Sequence, residues 1–303
     1  MSNLIQETQT TCETENGYGA IELVLKPKTK DLGGFSVRRL LPTVQRKMVG
    51  PWIFFDHMGP AHFSAGTGIN VRPHPHIGIA TVTYLFQGEM LHRDSLGSEQ
   101  VISPGDINLM VAGKGIVHSE RERPEVTAQD HTLHALQLWL ALPVHSEETE
   151  PAFYHYPEKD VPALNLNGVR IRVMMGSAYG VTSPVKTFAK TLYVEAMLEE
   201  GQTLTLPDAD ERAIYIADGS IKAKDTTLMA YSMAVVTNET GVQIEALEAS
   251  RIAIIGGEAM DKRFIDWNFV SSRKERIEQA KTDWKAGQFP PVPGDDEFIP
   301  YPD

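Results

Sequence analysis

The 303-residue chain reads as all-β, with two barrels in tandem followed by one helix and an extended tail. Three observations predict this. Apolar segments are short, β-branched or aromatic, and bounded by Gly, Pro, Asn or Asp, the pattern of a sandwich or barrel. Helical periodicity is scarce. A repeat is visible: Tyr84-x-x-x-Gly88 followed by Asp94 recurs as Tyr215-x-x-x-Gly219 followed by Asp225, at an offset of 131 residues for all three.

Residues 1–18 form a polar, acidic segment, expected to be a flexible arm without the basic and apolar regions of a signal peptide. Its Cys12 is the only cysteine, so no internal disulfide forms and a reducing cytoplasm is expected. The first barrel is expected over 19–145. Ala80–Phe86 and Leu133–Leu140 are strand-like there, and Gln87-Gly88, Ser103–Asp106 and Ala112–Gly115 are turn-like. An acidic, Pro-flanked connector runs from Leu142 to Pro151. The second barrel is expected over 146–260, with strands at Arg170–Met175 and Ile252–Ile255. In the remainder, 261–303, Phe264–Phe269 alternates like a strand. Ser272-Arg-Lys-Glu275 fits a capping box, and Ile277, Ala280 and Trp284 share one face of a helix running to about Ala286. Gly287 is a natural stop, and the Pro-rich tail from Phe289 is expected to extend along the surface.

Within the first barrel, His74-Pro-His76 and His118-Ser-Glu120 are both i, i+2 pairs, and such residues share one face of a strand. Two such strands facing each other across a barrel would gather three imidazoles and a carboxylate. That set suits a divalent transition metal such as iron, manganese, nickel or copper. All ten histidines lie between His57 and His155. Pro75 places its strand at an edge or start, and Ala112-Gly-Lys-Gly115 lets the backbone bend before His118. The 131-residue offset carries His74, His76, His118 and Glu120 to Thr205, Pro207, Ala249 and Arg251. The second barrel is therefore expected to lack metal ligands and to act as structural support. His92 is expected on a hairpin strand. His134 reads either as a hydrogen-bond partner behind the ligands or as a satisfied core histidine. His57 either lines the site or packs near it, and His62, His131, His145 and His155 are expected on loops.

The formal charge of −12 opposes phosphate backbones, so direct nucleic-acid binding is not expected. No apolar run approaches twenty residues, so no membrane helix is expected. G-x-S-x-G, P-loop and H-E-x-x-H motifs are absent, and the Gly-rich stretches do not open helices.

The run Arg72-Pro-His-Pro-His-Ile-Gly78, with Thr81–Tyr84, Gly88-Glu89, His92–Ser95, Pro104–Asp106 and Ala112-Gly-x-Gly-Ile-x-His-Ser-Glu120, resembles the pirin family of the cupin superfamily. The likeness extends through Gln137–Trp139 and returns at Gly256–Glu258, Trp267–Ser272, Lys274–Ile277 and Pro293-Gly294. It implies two tandem cupin barrels (double-stranded β-helix, or jelly-roll, units) with a mononuclear metal in the first, held by His74, His76, His118 and Glu120. Iron(II) is the first expectation, with manganese, nickel, copper or zinc as alternatives. The resemblance also implies a quercetin 2,3-dioxygenase-like reaction on a small aromatic, flavonol-like substrate with O₂, in which Glu120 is the general base. Two alternatives stay open: a metal-dependent sensor or transcriptional co-regulator acting through a protein partner, and a cupin isomerase or hydrolase. Ile77 and Ala80 depart from the arginine and glutamate that many family members carry there, a change expected to alter the pocket mouth.

Overall fold

A computed structural model describes residues 14–17, 19–32 and 34–302. Most of the expected arm, with Cys12, lies outside the described residues; Thr14–Asn16 within it is a strand.

The first barrel is built from β1 (Ser36–Leu41), β2 (Trp52–Phe63), β3 (Asn70–His76), β4 (Ile79–Gln87), β5 (Met90–Asp94), β6 (Ile107–Val111), β7 (Ile116–Arg121), β8 (His131–Ala141) and β9 (Ala152–Tyr156). Its large sheet has the order β9-β6-β4-β8-β2-β1, ending on Lys28–Asp31, and its small sheet the order β3-β7-β5, ending on Glu99–Ile102. The second barrel repeats this plan. Its large sheet centres on β10 (Thr191–Leu198), β11 (Glu211–Asp218) and β12 (Ser250–Gly257), and its small sheet joins Thr203–Thr205, Gln243–Ala246, Ser220–Ala223 and Thr226–Met229. The all-β reading with two barrels is thus what the chain adopts.

Pairing does not follow chain order. Ile21–Leu25, expected in the first barrel, pairs with Met233–Val236 in the second, while β9, expected in the second, pairs with β6 in the first. The two large sheets pack face to face. Val82, Tyr84, Leu109 and Leu138 share one core with Tyr193, Tyr215, Val235 and Ile255. Each fully buried side chain of this kind contributes about 1.5–3 kcal/mol. Fully buried Trp52 donates its indole N–H to the carbonyls of Leu192 and Gly256, both at 3.1 Å, across this boundary.

The repeat is real in its first half and slips in its second. Tyr84 pairs with Ile107, and Tyr215 pairs with Met233 in the corresponding register. Gly88 and Gly219 both have positive φ (91° and 80°) and both lie against a neighbouring strand's backbone. After that, the Ser220–Ala223 strand turns through Lys224-Asp225, whereas β5 needs Ser95–Ser98 to reach its partner. The constant offset is lost at this shortening. The strand that answers to β7 is Gln243–Ala246, and Arg251 belongs to β12 instead.

The C-terminal helix, α1 (Lys274–Lys285), buries Ile277 and Ala280 as the periodicity predicts. Gly287 follows it at φ 67° and donates its N–H to Trp284 O. The capping box does not form. The N-cap is Arg273, without a side-chain cap, and Ser272 gives its N–H and hydroxyl to the Glu147 carboxylate. That carboxylate also meets buried Arg263 at 2.7 Å, and the ion pair outcompetes the local cap. The tail is fastened down over the first barrel. Ile299 is buried and donates its N–H to Pro73 O, while Asp295 takes two hydrogen bonds from Arg121. Among the described residues, no helix is long and apolar enough to cross a membrane.

Candidate metal centre

The two i, i+2 pairs lie on adjacent strands, and not across the barrel from each other. β3 and β7 are antiparallel neighbours with His118 opposite His74 and Ile116 opposite His76. Cross-strand partners share a face, so His74, His76 and His118 converge on the barrel interior. Their ring centroids are 4.4–5.1 Å apart, and one candidate ligand atom from each lies within 4.8 Å of the others. All three are buried. A β-bulge between His118 and Glu120 shifts the pairing with β3, and such bulges re-aim side chains near functional sites. Glu120 is also buried, opposite His92 on β5.

Hydrogen bonding at Nδ1 sets the tautomers. His74 Nδ1–H donates to Arg72 O at 2.8 Å, and His76 Nδ1–H to Asn268 O at 3.3 Å. His118 Nδ1 meets His92 Nδ1 at 3.4 Å, and His92 Nε2 is 3.0 Å from Asp94 Oδ2. Asp94 accepts only, so His92 carries its proton on Nε2 and takes that of His118 on Nδ1. In all three rings Nε2 is then a lone pair, buried and without a hydrogen-bond partner. Burial holds the His74 pKa down to about 4, against the opposing pull of the Glu120 charge. Burial, reinforced by neighbouring imidazoles, holds His76 and His118 well below the ordinary histidine value. All three rings are therefore neutral at pH 7, the form that binds metal. Leaving three buried acceptors unsatisfied would cost about 1–3 kcal/mol each, so the residues fit a metal ion in this place.

The other histidines fall elsewhere. His92 is on a hairpin strand and, with Asp94, is the partner behind His118; its i, i+2 spacing to Asp94 was the available signal. His134 does not have that role. Its Nε2 lies 2.6 Å from His57 Nε2, and His57 Nδ1 is hydrogen-bonded to the Tyr215 hydroxyl of the second barrel. His57 thus packs between the barrels. His145 is in a short turn at Val144–Ser146, but His62, His131 and His155 are on strands and not loops. Ile77 packs in the core under the C-terminal segment and Ala80 in the core between the barrels.

Comparison with known proteins gives the following. A family profile described as Pirin matches residues 34–140, and one described as Pirin C-terminal cupin domain matches residues 193–290. A pirin-like protein of Caulobacter vibrioides is 46% identical over 288 residues, covering 93% of this chain and 100% of its own length. The crystal structure of a quercetin 2,3-dioxygenase from Acinetobacter baumannii matches with a TM-score of 0.83 at 34% identity, covering 91% of this chain and 92% of that one. A bacterial pirin from Escherichia coli, in complex with nickel(II), matches with a TM-score of 0.62 over 77% of this chain and 96% of that one; at 17% identity this is a likeness of fold alone.

Proposed function

The chain belongs to the pirin family, and on that premise we propose that it is a metal-dependent dioxygenase opening the heterocycle of a flavonol-type substrate with O₂. The carrying observation is the trio of buried Nε2 lone pairs on His74, His76 and His118, each ring oriented by a hydrogen bond at Nδ1. The 34% identity to the Acinetobacter baumannii dioxygenase supports the reaction class, as an analogy between relatives.

His74, His76 and His118 would hold the ion, with Glu120 as the fourth ligand, and iron(II) is the proposed metal. Manganese, nickel, copper and zinc suit the same donors. When bound, the ion supplies Lewis acidity and a template for substrate and O₂. The chain's own part is to orient the rings, exclude bulk water and move one proton. Glu120 is proposed to accept the proton of the substrate's hydroxyl.

The test is anaerobic purification with metal analysis, then reconstitution with iron(II), manganese(II), nickel(II) or copper(II) and measurement of O₂ uptake with quercetin. Expected are one metal per chain and uptake matched by carbon monoxide release. Full metal loading without uptake for any of these ions removes the dioxygenase reading.

A further inference from the structure

The large sheet of the first barrel carries an unusual row. His155, Asn108, Thr83, Gln137, Asp56 and Arg39 are successive cross-strand partners on β9, β6, β4, β8, β2 and β1. Cross-strand partners share a face, so six polar side chains form one continuous band inside a barrel whose neighbouring layers are apolar. This band adjoins the metal centre. Trp139, two residues from Gln137 on the same face, has its ring 4.9 Å from His76. Phe153, two residues from His155, stacks at 4.3 Å on His92.

Within the band, the amide oxygens and the Asp56 carboxylate are used, and N–H donors are left over. Asn108 Oδ1 accepts from His155 Nδ1–H at 2.6 Å, and Gln137 Oε1 accepts from Thr83 Oγ1–H at 2.9 Å. With the amides in this orientation, each NH₂ is the free end. Arg39 and Asp56 neutralise each other through two hydrogen bonds of 2.8 and 2.7 Å. What remains is Asn108 Nδ2, Gln137 Nε2 and Trp139 Nε1, three buried N–H donors without acceptors in the protein. All three residues are at least 98% buried. Buried polar groups are normally satisfied, so three orphan donors on one face of this sheet mark a place where an outside molecule supplies acceptors.

We propose that this row is the recognition wall of the metal centre. It selects a planar aromatic molecule that offers acceptor oxygens, as ring carbonyl or hydroxyl groups, to Asn108, Gln137 and Trp139. The wall has donors and no net charge, so it favours such a molecule over a cation or a purely apolar one. The proposal deepens the dioxygenase reading and rests on it for the aromatic class.

The experiment uses zinc-loaded full-length protein under argon, where no turnover occurs, titrated separately with quercetin and salicylate. Asn108→Asp and Gln137→Glu keep the bonds from His155 and Thr83 but turn each orphan donor into an acceptor. Expected is a loss of quercetin affinity of about tenfold or more in each, with zinc content unchanged, since one hydrogen bond is worth roughly that factor. Trp139→Phe removes one N–H and adds no charge, and it decides the matter if a carboxylate variant fails to fold. Unchanged affinity in every folded variant overturns the proposal, because the donors then hold only water. If quercetin does not bind but salicylate binds and weakens in the variants, the wall stands and the flavonol reading falls. If neither probe binds the parent protein, the wall falls as well.

Discussion

Tyr84 and Tyr215, corresponding residues of the two barrels, make reciprocal hydrogen bonds across the boundary between them. Tyr84 donates to Glu195 Oε2 on β10 at 2.7 Å, and the Tyr215 hydroxyl is hydrogen-bonded to His57 Nδ1 on β2. Glu195 and His57 also correspond. Each lies two strands from its own barrel's tyrosine in the same cross-strand row, through Ala253 and Leu136 respectively. The boundary is therefore a pseudo-twofold contact, stitched twice by the same residue type.

Tyr84→Phe should cost more stability than Tyr215→Phe. The first removes a donor from a buried carboxyl group, a loss of about 1.5–3 kcal/mol, and the second a hydrogen bond between neutral groups, about 0.5–1.5 kcal/mol. Urea unfolding of both variants gives the order. Equal, negligible losses would mean that the barrels are held by apolar contact alone.

Metal affinity should depend on Asp94 and His92, although neither is a proposed ligand. Asp94→Asn and His92→Phe release His118 Nδ1 from its fixed tautomer, and support of this kind typically carries 10–100-fold in affinity. Competition with a chromophoric chelator measures it. His118→Ala, tested alongside, should lose more than either.

Acid should weaken the boundary between the barrels before it titrates the surface carboxylates. Burial, then His134 and Arg38, hold the His57 pKa down to about 2, and burial with Arg251 and Arg38 holds His134 at about 4. Both folded values lie below the unfolded value near 6.5, so below that pH the unfolded chain binds more protons. The stability is complete above pH 6.5 and is lost as pH falls toward the folded values. For His57 the loss is about 1.4 kcal/mol per pH unit. Partly exposed His134 adds in the same direction, reduced by solvent screening. Denaturant midpoints of metal-free protein at pH 7 and 5 should differ less in His57→Gln than in the parent.

Glu147→Ala should be among the most damaging changes remote from the metal. It strands the Arg263 guanidinium, buried to within 1% of its side-chain surface, and also releases Ser272. Breaking one side of such a pair costs about 3–5 kcal/mol. The paired change Glu147→Leu with Arg263→Met should recover much of it, as read by thermal unfolding.

The candidate site was readable where geometry is local. The i, i+2 spacing suffices to put His74 with His76, because a strand allows only two faces; the ligand atoms that converge belong to these two and His118. Helix α1 was readable for the same reason, through Ile277 and Ala280. What sequence spacing could not supply was competition from distant partners. Ser272 is taken by Glu147, 125 residues away, and so never caps its helix. His134 is taken by His57, so His92 and not His134 stands behind the ligands. The exchanged strands at Ile21–Leu25 and Ala152–Tyr156 fail to show for a like reason, since their alternation fits either sheet. The repeat misled at β7 because the hairpin before it is shorter in both strand and turn, so the offset of 131 falls to 127 at Glu99–Ile102 and Thr226–Met229.

The brace on His76 comes from Asn268, 192 residues further along the chain, and the peptide beside His74 is bonded by Ile299 near the C-terminus. A ribosome adding roughly 5–20 residues per second needs about 10–40 s to travel from the first of these to its partner. During that interval His76 exists without the carbonyl that orients it, whereas His74 and His118 have their partners within the first barrel. A finished binding geometry thus waits on Asn268 and Ile299, far behind the histidines in order of synthesis.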